Sequence, residues 1–275
     1  LGITVFSGIE NLVGGDVVDT FVYDRDSRIS RTIDGGAGAA NVLELSGYVT
    51  SLTTTLLSTG SVTGFAGSAS GTFNPVGDTF DNITEINFST LNSTVGDKLI
   101  GLDSTAQWSF GTSTYTTAGR TLNFTLGASD DVTGGSSTDT FSFVGASAAA
   151  IRNVDGVGGA DTITGDNVTT SWTINGSNSG SFQPGIAPIG GFSNIENVVG
   201  GSAVDTFTFT NSGRLDGAIA GGAGLDVLVG DADGVQFTVT AGLSDTGVVL
   251  EQDGATVKVV NGFSSVENLT GAGAA

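Results

Sequence analysis

Apolar and polar residues alternate along most of the chain in short runs. Thr206–Phe209 (TFTF), Val227–Val229 (VLV) and Val257–Val259 (VKV) are examples, and glycine, asparagine or aspartate bounds such runs. Period-two runs between turn-forming residues predict short β-strands joined by tight turns. No segment of useful length shows the 3.6-residue apolar period of a helix. We therefore expect an all-β protein with almost no helix.

A repeat of tens of residues is superimposed on this alternation. The segments DKLIGLDSTAQW, DTITGDNVTTSW and DVLVGDADGVQF begin at Asp97, Asp161 and Asp226, which are 64 and 65 residues apart (161 − 97 and 226 − 161). In each copy the aspartate is followed four residues later by glycine and eleven later by a large aromatic residue. A fixed period of this kind indicates a repeat architecture.

Two further motifs run in phase with the first. GGDVVDTF, GGSSTDTF and GGSAVDTF begin at Gly14, Gly134 and Gly200, and FSGIEN, FSNIEN and FSSVEN end in a Glu–Asn pair. A catalytic carboxylate is normally unique in a chain, whereas these acids recur at one repeat position. We interpret them as surface residues stacked along the repeat, namely Glu10, Glu196 and Glu267.

The repeat divides the chain into a divergent first region, 1–96, two repeats, 97–160 and 161–225, and a truncated repeat, 226–275. A 65-residue unit of strands alone would be marginal, and stacking on its neighbours would bury its apolar face. We therefore predict one continuous parallel β-helix, or β-solenoid, with ladders of matching apolar residues inside. Tandem small β-sandwich domains are the alternative. Both ends share one phase of the repeat, so we expect a segment of a longer array.

Composition narrows the chemistry. The chain of 275 residues contains no Cys and no His, and its net charge is -20. Disulfides, thiolate nucleophiles, imidazole bases and His–metal sites are therefore excluded. This charge repels nucleic acid and anionic membrane surfaces, so we expect neither as a partner and expect cations instead.

Catalytic residues are not evident in this composition. Lys98 and Lys258 both flank repeat strands and are predicted to point outward. Asp130 and Asp131 are adjacent, which on a strand sends them to opposite faces. No constellation that occurs once joins an acid, a base and a cleft, so we predict that the protein is not an enzyme, although parallel β-helices also include polysaccharide-degrading enzymes.

The motifs together resemble a known group of proteins. FSNIENVVGGSAVDTFTF, GGAGLDVLVGD and the aromatic residue after DxLxG are similar to the repeats of very large bacterial surface and secreted adhesins. These are described as filamentous-haemagglutinin-like, β-strand-repeat or RTX-like proteins. The resemblance implies an extracellular, β-helical, non-enzymatic stalk or adhesin repeat.

The RTX-like part of the resemblance also implies calcium. GGAGLDVLV matches the whole RTX nonapeptide, in which carbonyls and an aspartate surround a hard cation. A second copy carries Val157 in place of a glycine, and a third has Ala40 and Asn41 where the acid is expected. The alternative is that these aspartates only form turns by accepting backbone N–H bonds. The predicted metal ligands are, in order, Asp226, Asp161, Asp97 and Asp205.

These observations predict an extracellular structural or adhesive repeat segment that forms a stiff rod, stalk or filament. The expected partners are further copies of the chain or neighbouring repeats, surface glycans and the host or cell surface. A carbohydrate- or protein-binding module, with its site in the divergent region 46–96, is the alternative. Trp108 and Trp172 share one repeat position, which favours a role in the core over stacking on a sugar.

Overall fold

The computed structural model describes residues 8–25, 27–89, 96–146, 151–185, 190–210, 212–240, 245–251 and 256–271. Strands make up 52% of the structure and no helix is present in these ranges. The predicted all-β class is confirmed. In the described ranges, no helix has the length and apolar character needed to span a membrane.

The strands are short, and most alternate buried and exposed residues as the sequence pattern predicts. Their bounds are β1 Leu12–Val13, β2 Thr20–Asp24, β3 Ile33–Asp34, β4 Val42–Gly47, β5 Leu52–Thr59, β6 Phe65–Gly71, β7 Phe80–Ile83, β8 Glu85–Asn87, β9 Lys98–Ile100, β10 Ala106–Ser109, β11 Thr114–Thr117, β12 Arg120–Thr125, β13 Asp131–Thr133, β14 Asp139–Ser142, β15 Asn153–Asp155, β16 Thr162–Thr164, β17 Thr170–Gly176, β18 Ser179–Pro184, β19 Gly190–Ser193, β20 Asn197–Gly201, β21 Thr206–Phe209, β22 Ile219–Gly222, β23 Val227–Val229, β24 Val235–Val239, β25 Gly247–Glu251, β26 Val257–Ser264 and β27 Asn268–Thr270.

The first of two compact units comprises Leu1–Leu102 and Thr114–Asp131. It contains two mixed sheets, with strand orders β1-β3-β7-β6-β5-β9 (sheet S1) and β2-β4-β8-β12-β11 (sheet S2). Strands from successive passes of the chain pair in parallel, whereas β5-β6-β7 and β11-β12 are antiparallel excursions. In S2 three apolar side chains lie in register and are buried: Leu43, Ile86 and Phe124.

The second unit comprises Asp103–Ser113 and Val132–Ala275. Its two mixed sheets have the orders β13-β15-β19-β18-β17-β21-β23-β27 (sheet S3) and β10-β14-β16-β20-β22-β26-β25-β24 (sheet S4). Along the chain the strands alternate between S3 and S4, and parallel partners come from successive passes. The antiparallel excursions here are the meanders β17-β18-β19 and β24-β25-β26.

Files of matching apolar side chains fill the interior of this second unit. The indole ring of Trp172 stacks on the ring of Phe207, with centroids 6.0 Å apart and an interplanar angle of 12°. Trp108 stacks on Phe141 in the same way, at 5.9 Å. Both tryptophans are buried, which confirms their predicted core role. The files in register are Trp172, Phe207, Leu228 and Leu269 in S3, and Trp108, Phe141, Ile163, Val198, Ile219 and Phe263 in S4.

The 65-residue repeat has a geometric meaning in this unit. The two meanders begin at Thr170 and Val235, 65 residues apart (235 − 170), and the first lies in S3 while the second lies in S4. The aromatic residues that the sequence alignment superimposes, Trp172 and Phe237, are in the first strand of each meander. One sequence repeat therefore returns the chain to the same local structure in the opposite sheet.

The FSxxEN motif forms a specific turn. Its third residue adopts a left-handed backbone conformation in every copy, with φ values of 72°, 51° and 52° at Gly8, Asn194 and Ser265. The related segment FDNITE shows the same feature at Asn82, with φ 55°. Glycine and asparagine tolerate this conformation best, which explains their prevalence at this position. Phe6 of the first copy lies outside the described residues.

Candidate functional site

The four predicted metal ligands occupy one local position. Asp97, Asp161, Asp205 and Asp226 each immediately precede a strand, and all four are almost fully buried, at 0–1% exposure. We call the residue at or just before the first residue of a strand the ladder position. The sequence therefore identified structurally equivalent residues, although they belong to different sheets.

In sheet S3 the ladder positions are joined by hydrogen bonds between neighbouring strands. The backbone N–H of Thr170 donates to Asp205 Oδ1, and the N–H of Asp205 donates to Asp226 Oδ1, both at 2.7 Å. The N–H of Asp226 donates in turn to Glu267 Oε2 at 2.7 Å. Asp205 and Asp226 thus each accept a bond from one neighbouring strand and donate their own N–H to the acid of the next, and Glu267 acts as an acceptor.

Sheet S4 repeats this arrangement with other residues. The N–H of Ala106 donates to Asp139 Oδ1 at 2.9 Å, and the N–H of Asp139 donates to Asp161 Oδ1 at 2.7 Å. The N–H of Asp161 then donates to Glu196 Oε2 at 2.7 Å. The structure therefore brings Asp205 and Asp226 together, but places Asp161 in a separate ladder with Asp139 and Glu196.

The first unit contains shorter ladders of the same kind. The N–H of Leu52 donates to Asp97 Oδ1, and the N–H of Asp97 donates to Asp130 Oδ1, both at 2.7 Å. In S2 the acceptor for the N–H of Asp19 is Asn41 Oδ1, at 3.2 Å. An amide oxygen can therefore take the place of a carboxylate oxygen in the ladder.

The Glu–Asn pair of the FSxxEN motif forms hydrogen bonds with both backbone polar groups of one ladder aspartate. While Glu196 accepts the N–H of Asp161, the N–H and Nδ2 of Asn197 both donate to the Asp161 carbonyl, at 2.9 and 3.1 Å. Asn268 contacts the Asp226 carbonyl equivalently, at 3.0 and 3.5 Å. The repeated glutamates of the second unit are therefore ladder acceptors as well as partly exposed residues.

The second carboxylate oxygen lies against a glycine that precedes the aspartate by five residues. A methyl group added to Gly200 would collide with Asp205 Oδ2 and with the Gly221 backbone oxygen. At Gly156 the equivalent atoms are Asp161 Oδ2 and the Asn194 backbone oxygen. This explains the glycine of the GGxxxD motif. Three of these second oxygens are buried and have no hydrogen-bond partner among the described residues: Asp161, Asp205 and Asp226 Oδ2.

Asn41 shows which kind of atom fits the position that the second carboxylate oxygen, Oδ2, occupies in the aspartates. Its Nδ2 donates to the backbone oxygens of Asn82 and Gly38, at 3.0 and 3.1 Å. A methyl group on Gly35 would collide with this Nδ2 and with the Asn82 oxygen, as one on Gly156 would with Asp161 Oδ2 and a carbonyl. A hydrogen-bond donor therefore fits where Asp161, Asp205 and Asp226 place Oδ2, whereas Asp139 Oδ2 accepts the backbone N–H of Gly135. A protonated carboxyl group supplies such a donor, and an ionised one does not.

Burial raises the pKa of the ladder acids. It raises the pKa of Asp161 to about 7 and the pKa values of Asp97 and Asp205 to about 6, although hydrogen bonds from backbone N–H groups oppose the shift. Neighbouring carboxylates raise these pKa values further. The pKa values of Asp139 and Asp226 are raised for the same main reason. Asp97, Asp161 and Asp205 thus bind protons at a higher pH than the ordinary aspartate value of 3.8.

The ladders supply only part of a calcium site. A calcium ion takes about six to eight oxygen ligands. Asp161, Asp205 and Asp226 each have one oxygen committed to a backbone N–H and the other beside a backbone carbonyl, whereas both oxygens of Asp139 accept backbone N–H bonds. Across the described ranges, no group of three or more His, Cys, Asp or Glu residues could hold a metal ion. Calcium binding at the four aspartates stays a prediction.

Sequence reasoning missed a buried cluster of one lysine and two acids. Lys258 is 1% exposed, so the prediction that it points outward is wrong. Its Nζ contacts Asp231 Oδ2 and lies 2.8 Å from Glu251 Oε1. Burial lowers the pKa of Lys258, but its hydrogen bonds to these two acids outweigh that effect and the pKa is raised. Lys98, the other lysine considered, is half-buried on β9.

Comparisons with known proteins give no further guidance. No protein-family model, curated protein or solved structure matches the chain.

The ladder predicts a specific dependence of stability on pH. An acid with a raised pKa in the folded state binds its proton more tightly when the protein is folded. Its contribution to the free energy of unfolding is therefore full below the unfolded-state pKa near 3.8, and it is lost as the pH rises through the folded-state pKa. We expect the free energy of unfolding to fall between about pH 4 and pH 7, by on the order of 2 kcal/mol. Urea denaturation across this range measures it.

Asp161→Asn separates this effect from the general acidity of the chain. The amide keeps the acceptor for the Asp139 N–H and supplies a donor, as Asn41 does. We expect D161N to be more stable than the wild type at pH 7.5 without metal, and to show a weaker pH dependence. Asp233→Asn, at an exposed acid, is the control. A D161N variant that is less stable at pH 7.5, with an unchanged pH dependence, would contradict the account.

The glycine that faces the carboxylate gives a second test. Gly200→Ala places a methyl group against Asp205 Oδ2 and a backbone oxygen, so we expect it to cost about 2–3 kcal/mol of unfolding free energy. Gly158→Ala, whose nearest atom would be 3.8 Å away, is the matched control and changes stability by less than about 1 kcal/mol. Equal effects of the two substitutions in thermal denaturation would refute the proposed contact.

Proposed function

We propose that the chain is a β-solenoid segment that serves as a stiff structural repeat of an extracellular bacterial stalk, filament or adhesin. The observation that supports this most strongly is the pairing of strands from successive passes. Asp139 and Asp161 are linked across 22 residues, and Asp205 and Asp226 across 21. A pass of this length, with one strand in each sheet, agrees with the ~20–30 residues of a solenoid coil.

The longer ladder steps fit the same scheme. Asp161 and Glu196 are linked across 35 residues, and the intervening chain contains the antiparallel strands β17, β18 and β19. The step from Asp226 to Glu267 spans 41 residues and contains the meander β24–β26. The meanders are therefore insertions into coils, and the ladder continues past them. Separate β-sandwiches would each close their own core instead of sharing such a ladder.

The mechanism of such a segment would be mechanical. Apolar files and carboxylate ladders both run from strand to strand, so stretching would break several contacts at each step. The net charge of -20 keeps such a rod soluble and repels nucleic acid. The acidic, cysteine-free composition and the resemblance of the repeat motifs support the extracellular location and the adhesive role. Further copies or repeats, surface glycans and cell surfaces are the proposed partners.

A binding module in region 46–96 is the second candidate. One observation favours it: the region exposes large apolar side chains, which are Val49, Leu57, Val62 and Phe73. The strands β5 and β6 pair with each other and with β9 and β7, so deletion of the region would disrupt sheet S1. Substitution of exposed residues, such as Leu57→Ser, is the suitable test. Glycan-array or cell binding that this variant loses would favour the module.

The rod proposal is tested by small-angle X-ray scattering combined with negative-stain electron microscopy. We expect particles of constant cross-section that are elongated along one axis, with about 4.8 Å per stacked strand. Beads joined by flexible segments would contradict the proposal and favour tandem sandwiches. Melting temperatures with calcium and with chelator form the second arm. Calcium stabilisation that D226N and D161N remove would support metal binding, and its absence would leave the rod without calcium.

A further inference from the structure

The buried cluster around Lys258 lies outside the carboxylate ladders. Lys258 is in strand β26, Glu251 ends strand β25, and Asp231 lies in the loop after β23. The Lys258 side chain is 2% exposed and the Asp231 side chain 1%, whereas the Glu251 side chain retains 25% exposure. An amine, a carboxyl group beside it and a second acid within 2.8 Å of the amine are therefore enclosed together.

The repeat provides an internal comparison for Asp231. The aligned residue of the preceding repeat is Asp166, which accepts the backbone N–H bonds of Gly145 and Asn167, at 2.8 and 2.7 Å. Neither oxygen of Asp231 accepts a backbone N–H bond in the described structure, and its close contact is the lysine amine. Asp231 is thus directed at Lys258 instead of capping a turn.

Burying an ion pair at this position is energetically unfavourable. Removing an ammonium group and a carboxylate from water is unfavourable for each ion, and their mutual attraction offsets this only in part. Condensation of the two groups to an amide removes both charges. The low dielectric of the interior favours transfer of the ammonium proton to Asp231, since it disfavours charged groups, whereas the hydrogen bonds of Lys258 to the two acids oppose this transfer.

We propose that Lys258 Nζ and Asp231 Cγ form an intramolecular amide bond, with Glu251 as the proton relay. The proton of the ammonium group first passes to Asp231, which gives a neutral amine and a neutral carboxylic acid. The Nζ lone pair attacks Cγ, and the Glu251 carboxylate takes a proton from Nζ. Glu251 returns this proton to a hydroxyl of the tetrahedral intermediate, the C–O bond breaks, and one water molecule leaves. The step needs no oxidant, metal or activated co-reactant.

The bond would join the two sheets of the second unit at one place. Asp231 follows a strand of S3, and Lys258 belongs to the S4 meander whose outermost strand is β24. The meander β24–β26 lies at the edge of S4, where it has a sheet neighbour on one side only. A covalent link there secures the part of the sheet that has the fewest neighbours. This inference rests on the cluster alone and does not depend on the proposed rod.

Intact-mass spectrometry of the purified protein tests the bond directly. We expect the mass to lie below that of the sequence by one water molecule, and proteolysis to yield a branched peptide that joins the segments around Asp231 and Lys258. A succinimide at an Asp–Gly pair, such as Asp233–Gly234, loses the same mass. Hydroxylamine opens a succinimide and leaves an amide intact, so the treated protein distinguishes them.

Three substitutions assign the roles. Lys258→Arg and Asp231→Ala are expected to restore the full mass, and Glu251→Gln, which keeps the shape of the relay, is expected to reduce the linked fraction by at least tenfold. Asp245→Asn, at an exposed acid of the same unit, is expected to leave the wild-type mass deficit unchanged apart from its own substitution. A wild-type protein of full mass without a branched peptide would overturn the proposal, whatever the variants show.

Discussion

The hydrogen bond between a backbone N–H at the start of one strand and a carboxylate at the start of the next organises this chain. It recurs in both sheets of the second unit, with Asp205, Asp226 and Glu267 in one and Asp139, Asp161 and Glu196 in the other. Each bond fixes the register of a parallel pair at its first residue. The apolar files then come into alignment, because a shift of one residue would turn every side chain to the opposite face.

The same bond places carboxyl groups close together in the interior of the protein, which is electrostatically unfavourable when they are charged. Stacked carboxylates repel each other, and burial removes the water that would stabilise their charges. In Asp161, Asp205 and Asp226 a backbone N–H donates to one carboxylate oxygen, whereas the second oxygen faces a carbonyl oxygen across a glycine. A hydrogen-bond donor at this place would contact the carbonyl oxygen favourably, and Asn41 supplies one with its amide nitrogen. In Asp161 and Asp205 a bound proton would supply this donor, in agreement with their raised pKa values, and a shared cation is the alternative that the calcium prediction represents.

Local patterns made the strands, the core tryptophans and the ladder positions predictable. The alternation of TFTF and the recurrence of Asp205, Asp161 and Asp226 before strands are short-range features, and the structure confirms their local equivalence. The alignment could not show that Asp161 and Asp226 lie in different sheets. Which sheet a repeat position joins depends on where the meanders are inserted, and the repeat motifs do not show this. The cluster of Lys258 was missed because a lysine flanked by valines on a strand normally points to solvent, and no repeat motif links it to Glu251 and Asp231, which lie seven and 27 residues earlier.

Whether the ladder carboxyl groups are protonated near neutral pH decides how the ladders are stabilised. Carbon-13 NMR of the aspartate side chains measures the protonation state of each residue. We expect the carboxyl signal of Asp161 to titrate near pH 7 and that of Asp205 near pH 6, in metal-free solution. If Asp161 and Asp205 instead titrate at about pH 4, the ordinary value of an aspartate, their carboxylates are ionised at neutral pH, and a ladder completed by protons is contradicted.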